Sequence, residues 1–102
     1  MSVTVIVRFS VADVDKAVAW ARANPTIPDE ITAYGKSLGQ LGHRMLTADG
    51  DLVVIDEWPT ADAFTTFFAN APRMADFLAG AGIQGEPAIS VLDSIDDIPG
   101  TF

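Results

Sequence analysis

The stretch "LGHRMLTADGDLVVIDEWP", residues 41–59, decides the fold. Two apolar runs flank Ala48-Asp49-Gly50-Asp51, and Asp-Gly is the strongest short hairpin signal. The pattern predicts strands over 40–47 and 51–58, with Pro59 ending the second. A two-residue turn at Asp49-Gly50 pairs Ala48 with Asp51. Counting back from there sets Met45 opposite Val54 and His43 opposite Asp56. Side chains alternate along a strand, so His43, Met45, Val54, Asp56 and Trp58 share one face. Arg44, Leu46, Val53, Ile55 and Glu57 share the other. A slip of one residue would separate His43 from Asp56.

Outward from the hairpin, "SVTVIVRF" near the N-terminus is β-branched and carries apolar residues on both faces. It predicts a central strand. Ser10 or Asp13 can cap a following helix, with Val14, Ala17, Val18 and Ala21 as its apolar stripe. Asn24-Pro25 stops it. "TIPDEITAYGKSLG" predicts a second helical piece, with Pro28 in its first turn and Ile31, Tyr34 and Leu38 on one side. Gly35 weakens its middle.

After the hairpin, Thr60 caps a helix that buries Phe64, Phe67, Phe68 and Ala71. Pro72 interrupts it, and Met74, Phe77 and Leu78 restart the stripe. "AGAGIQGEP" predicts a flexible loop rather than a phosphate loop, because no strand leads into its glycines and no helix follows. A last strand is expected over 88–92. Ile98 and Phe102 could anchor the acidic tail. One domain over residues 1–102 follows, with no internal repeat. The order is strand, helices, strand, strand, helix, strand. It implies an α+β, ferredoxin-like βαββαβ fold: a four-stranded antiparallel sheet with helices on one face.

The charge balance excludes several functions. Fourteen acidic residues face six basic ones, a net charge of −8. The basic residues are scattered, so neither nucleic acid nor an anionic membrane is an expected partner. There is no cysteine, which removes disulfides and thiolate metal sites and fits a reducing cytoplasm. The N-terminus does not have the layout of a signal peptide. No apolar run approaches the ~20 residues that span a bilayer.

His43 is the only histidine. Paired with Asp56 it has the layout of a general base, with an acid orienting the imidazole. A cross-strand pair worth ~0.2–1 kcal/mol is the plainer reading. No nucleophile accompanies the pair: Ser37, in "GKSLG", is one residue out of place for an elbow. One histidine among scattered carboxylates has no metal-ligand spacing, so no metal is expected. Trp58 can be a core residue or the flat wall of an aromatic pocket. Tyr34 needs a hydroxyl partner if buried, and can point into the same space. Trp20 lies at the margin of its stripe and could serve a subunit contact. Arg44 and Glu57 suggest a diagonal surface ion pair of little worth.

The residues from the second hairpin strand onward, "VVIDEWPTADAFTTFF", resemble the antibiotic biosynthesis monooxygenase-like family of the dimeric α+β barrel superfamily. "LGHRMLTADGDLVVIDEW" and "AGIQGEPAISVLDSID" are similar to its small actinobacterial members, so the likeness spans about residues 41–96. It implies a homodimer in which two sheets face each other, and a pocket between sheet and helices in each subunit. The family's tryptophan after the third strand matches Trp58. Some members oxygenate polycyclic phenols without a cofactor, and others degrade haem. Haem-degrading members carry a histidine in the last helix and an asparagine on the first strand. "TADAFTTFFANAPRMADFLAG" has no histidine and the first strand no asparagine, so haem is not implied. Asn70 matches no oxygenase position.

Two functions therefore stand at this point. One is an oxygenase with no cofactor, using His43 and Asp56 as catalytic residues and Trp58, Tyr34, Phe64 and Phe68 to bind an aromatic small molecule. The other is a non-enzymatic dimeric protein that binds a small molecule or serves as structure. Both readings expect a homodimer, since both sheet faces are apolar and need cover.

Overall fold

The structure is a computed structural model that describes residues 2–101. Among these residues the order is β1 (Val3–Val11), α1 (Val14–Ala23), α2 (Thr26–Ser37), β2 (Gly42–Ala48), β3 (Asp51–Trp58), α3 (Ala61–Asn70), α4 (Met74–Gly80) and β4 (Ile83–Asp93). The strands form one antiparallel sheet in the order β2-β3-β1-β4. This is the ferredoxin-like α+β arrangement, with β1 and β3 central and β2 and β4 at the edges.

The turn chemistry explains the hairpin. Asp49 and Gly50 both adopt positive φ, 52° and 80°. A two-residue turn of the primed type needs this, because its twist matches that of the strands. The register is the one the turn demands: His43 pairs with Asp56, Met45 with Val54 and Ala48 with Asp51. Arg8 of β1 braces the turn from the open face of the sheet. Its Nε donates to Asp51 at 2.7 Å and a terminal nitrogen donates to the Ala48 carbonyl at 3.1 Å.

The core lies between sheet and helices. Val3, Val5, Val7 and Phe9 of β1 and Leu52, Val54 and Trp58 of β3 supply the sheet side. Ala17, Phe64, Phe67 and Phe77 supply the helix side. Asp13 caps α1 by accepting from the Lys16 amide at 3.1 Å, and Thr60 caps α3 by accepting from the Ala63 amide at 3.2 Å. Ser10 does not cap; it continues β1 opposite Gln84.

Several sequence expectations need correction. The segment 83–87 is not a loop but the first half of β4, where Ile83 and Gln84 pair with Val11 and Ser10. The register slips between Arg8 and Ser10, so residues 85–87 bulge opposite Phe9. Gly85 takes φ 71° there, which a glycine tolerates without strain. Pro87 is accommodated because it falls within this bulge of an edge strand, outside the paired ladder. β2 starts at Gly42 rather than residue 40. Arg44 and Glu57 form no ion pair among the described residues, since Glu57 sits opposite Gly42 and Arg44 opposite Ile55. Trp20 is half-buried at the margin of its stripe: it packs edge-on to Phe77 at 6.2 Å between centroids and keeps part of its surface open to a subunit contact. Ile98 is exposed and anchors nothing in this chain. Phe102 lies outside the described residues.

Candidate functional site

β2 and β3 bring an imidazole and a carboxylate together at the border of the core. His43 Nδ1 and Asp56 Oδ1 are 2.6 Å apart. Asp56 sits on a central strand, and its side chain is 4% exposed; His43 sits on the edge strand, and its side chain is 34% exposed. Burying a carboxylate requires a hydrogen-bonded partner. When the neutral imidazole donates its Nδ1–H to Asp56, Nε2 keeps its lone pair as an acceptor.

The pair lines a small cavity between the sheet and helices α2, α3 and α4. Val7, Phe9 and Val54 form its floor. Ile31 of α2 and Met74 of α4 close over it, and Phe64, Phe67 and Phe68 of α3 form one wall. The volume is about 60 Å³. His43 and Asp56 are the only titratable side chains on a surface that is otherwise almost wholly apolar. Polar groups that are few and convergent in an apolar cleft are the usual make-up of a small-molecule site. Above the cavity, Arg73 at the start of α4 ties α2 to α4. It donates to Asp76 at 2.5 Å and to Glu30 at 3.0 Å. Those hydrogen bonds, first to Asp76 and then to Glu30, raise the affinity of its guanidinium for its proton. Arg73 itself has a left-handed backbone conformation, φ 62°.

Four of the residues singled out from sequence meet at this cavity: His43, Asp56, Phe64 and Phe68. Trp58 and Tyr34 do not line it. Trp58 is fully buried one layer behind, 4.9 Å from Phe67 and 6.2 Å from Phe64 between ring centroids. Its Nε1 is buried with no hydrogen-bond partner among the described residues. Tyr34 stacks on Phe67 at 6.2 Å. Sequence reasoning missed Ile31, Met45 and Met74 as lining residues. Their signal was the apolar stripe itself, which does not distinguish a core position from a cavity wall. Among the described residues no three His, Asp or Glu side chains converge as metal ligands. No helix of the described residues is long and apolar enough to cross a membrane.

No protein-family model and no curated protein sequence matches the chain. Solved structures do match over nearly its whole length. A monooxygenase from the gene ActVA-Orf6 of Streptomyces coelicolor, in complex with nanaomycin D, superposes with a TM-score of 0.66 at 15% identity. That match covers 98% of this chain and 93% of the other. SnoaB, a cofactor-independent oxygenase from Streptomyces nogalater, gives 0.62 at 19% identity, covering 96% and 97%. A dimeric ferredoxin-like protein from an uncultured marine organism gives 0.66 at 4% identity, covering 98% and 93%. The chain has the fold of the antibiotic biosynthesis monooxygenases. At these identities the likeness is one of fold, and the chemistry has to be argued from the site.

Proposed function

We infer that this chain is an oxygenase of the antibiotic biosynthesis monooxygenase type, acting without a cofactor on a fused aromatic phenol or its keto form. One observation carries the reading: a hydrogen-bonded His43–Asp56 pair opens onto a cavity walled by phenylalanines. An anthrone illustrates the chemistry. His43 Nε2 takes a proton from the activated carbon, and the imidazolium that forms stays paired with Asp56. The carbanion reduces dioxygen and forms a carbon–oxygen bond. The peroxide takes the proton back from His43. The hydroperoxide then breaks its O–O bond and loses water, leaving a quinone carbonyl. Anthrone and dioxygen give quinone and water, with carbon oxidised and oxygen reduced.

The apolar walls suit this step because a carbanion lasts longer away from water. Trp58 backs the phenylalanine wall and would reach a ligand only if Phe64 or Phe67 turned aside. Tyr34 holds Phe67 from the other side. The reading also includes a homodimer built on the open face of the sheet. There Ile6, Val53 and Ile55 are half-buried and Leu92 is exposed. A cytoplasmic location fits the absence of cysteine.

The cavity volume favours a second reading, that of a dimeric protein without chemistry that serves as structure and needs no room for a substrate. About 60 Å³ is far below the ~300–1,000 Å³ of ordinary ligand sites. Oxygen uptake with a hydroxylated anthrone decides between them. An oxygenase consumes dioxygen one-for-one with quinone formed, and His43→Gln lowers that rate roughly 10²-fold or more. Oxygen uptake no faster than in buffer alone would establish the second reading instead.

A further inference from the structure

The cavity beside His43 is smaller than any ring system its walls suit. A benzene ring occupies an apolar cavity of about 150 Å³, against about 60 Å³ here. Adjoining it is a second space of about 490 Å³. Ala17, Val18 and Ala21 of α1 form one side of this groove, and Leu46 and Thr47 of β2 form the other. Met45 and Phe77 belong to the walls of both spaces. Met45 lies on the edge strand and is 40% exposed. An unbranched thioether in that position turns aside at little cost. Movement of Met45 past the buried Phe77 would join the two spaces into one cleft of the size ligand sites have.

The charges in the cleft are arranged with polarity. At the inner end the acidic group is Asp56, which disfavours an anion. In the groove the one charged side chain is Arg22. Arg8 and Arg73 are taken up by ion pairs, whereas Arg22 makes none among the described residues. This is an uncommitted guanidinium in a chain with fourteen acids and six bases. A guanidinium presents a planar fork of donors that fits a carboxylate.

We propose that the groove is a subsite for the carboxylate-bearing arm of an elongated aromatic acid, with Arg22 as the carboxylate's partner and Met45 as the door between arm and ring. The proposal deepens the reading of the His43 cavity and rests on it. His43 to Thr47 is four strand residues, about 13 Å. The ligand class is therefore a hydroxylated ring system whose acid group lies roughly 13 Å from the phenol, matching that strand spacing.

Calorimetric titration with three probes tests this: naphthol, a hydroxynaphthyl pentanoic acid, and the methyl ester of that acid. At low salt the acid should bind up to about fivefold tighter than its ester, the upper end for an exposed ion pair. Arg22→Gln should erase that preference while leaving naphthol affinity unchanged, and Arg22→Lys should keep part of it. Lys16→Gln, on the same helix but off the groove, should leave the preference intact. Arg22 also sits in the last turn of α1, where any cation suits the helix dipole; that role predicts no difference between acid and ester. Equal affinity for acid and ester, or a preference that survives Arg22→Gln, overturns the subsite. Naphthol binding with no gain from the acid overturns the subsite alone. Failure of all three probes to bind overturns the His43 cavity reading along with it.

Discussion

β2 and β3 are paired residue by residue, carry similar apolar sequences and face the same helices, yet they live in different environments. On β3, Leu52, Val54, Asp56 and Trp58 are all buried. On β2, their neighbours His43, Met45 and Thr47 are exposed. The difference lies in position. β3 has a strand on each side and helices above it; β2 has a strand on one side only, and the helix layer stops short of it. The border between core and solvent therefore runs between the two strands, and the His43–Asp56 pair straddles it. A carboxylate held in the core and an imidazole open to a cavity are what a base with an orienting acid requires. The same pair in mid-sheet would be sealed, and at a free edge it would be solvated.

Substitutions along the two strands should show this contrast. Trp58→Ala removes a fully buried indole and should cost about 3–5 kcal/mol in denaturant unfolding, near the upper limit for one residue. A loss below ~1 kcal/mol would mean that β3 is not the sealed strand. His43→Gln leaves the Asp56 carboxylate buried without its charge-capable partner. It should cost about 1–3 kcal/mol by the same measurement, less than Trp58→Ala because water reaches the His43 side. Asp13→Ala serves as a reference far from both strands. Loss of its cap on α1 should cost ~1 kcal/mol. Met45→Ala on β2 should cost the least, under ~1 kcal/mol, because that side chain is already partly in water. A larger loss at Met45 than at His43 would invert the contrast.

Ile55→Glu separates the two faces of β3. Its side chain lies on the open face, opposite the core. In light scattering the wild type should have the mass of a dimer and the variant that of a monomer, with helical content unchanged. A monomeric wild type would remove the second copy from the proposal.

The hairpin's register was legible because it is set locally. One Asp-Gly pair sets the turn, and the two-residue period then places every side chain. That reasoning put His43 opposite Asp56 and marked Phe64 and Phe68 as helix-face residues. It erred where the determinant was not local. Residues 83–87 carry glycines and a proline, which argue for a loop in isolation. Pairing with the end of β1 makes them a strand, and a bulge at Gly85 absorbs the misfit. Arg44 and Glu57 have opposite charges on one face, yet their stagger across the ladder keeps them apart.

The sequence by itself determined the element order, the hairpin register, the cap at Thr60, and which hairpin residues share a face. These follow from turn geometry, periodicity and hydrogen bonding within a few residues. Only the tertiary structure decided which strands became edges, how far the helix layer reaches, and so which apolar residues became core and which became cavity wall. Phe64 and Phe77 are buried and line a cavity at once; Trp58, on the same face as His43, lies behind that wall. Such distinctions depend on how several elements fill a shared volume, and no local pattern carries that information.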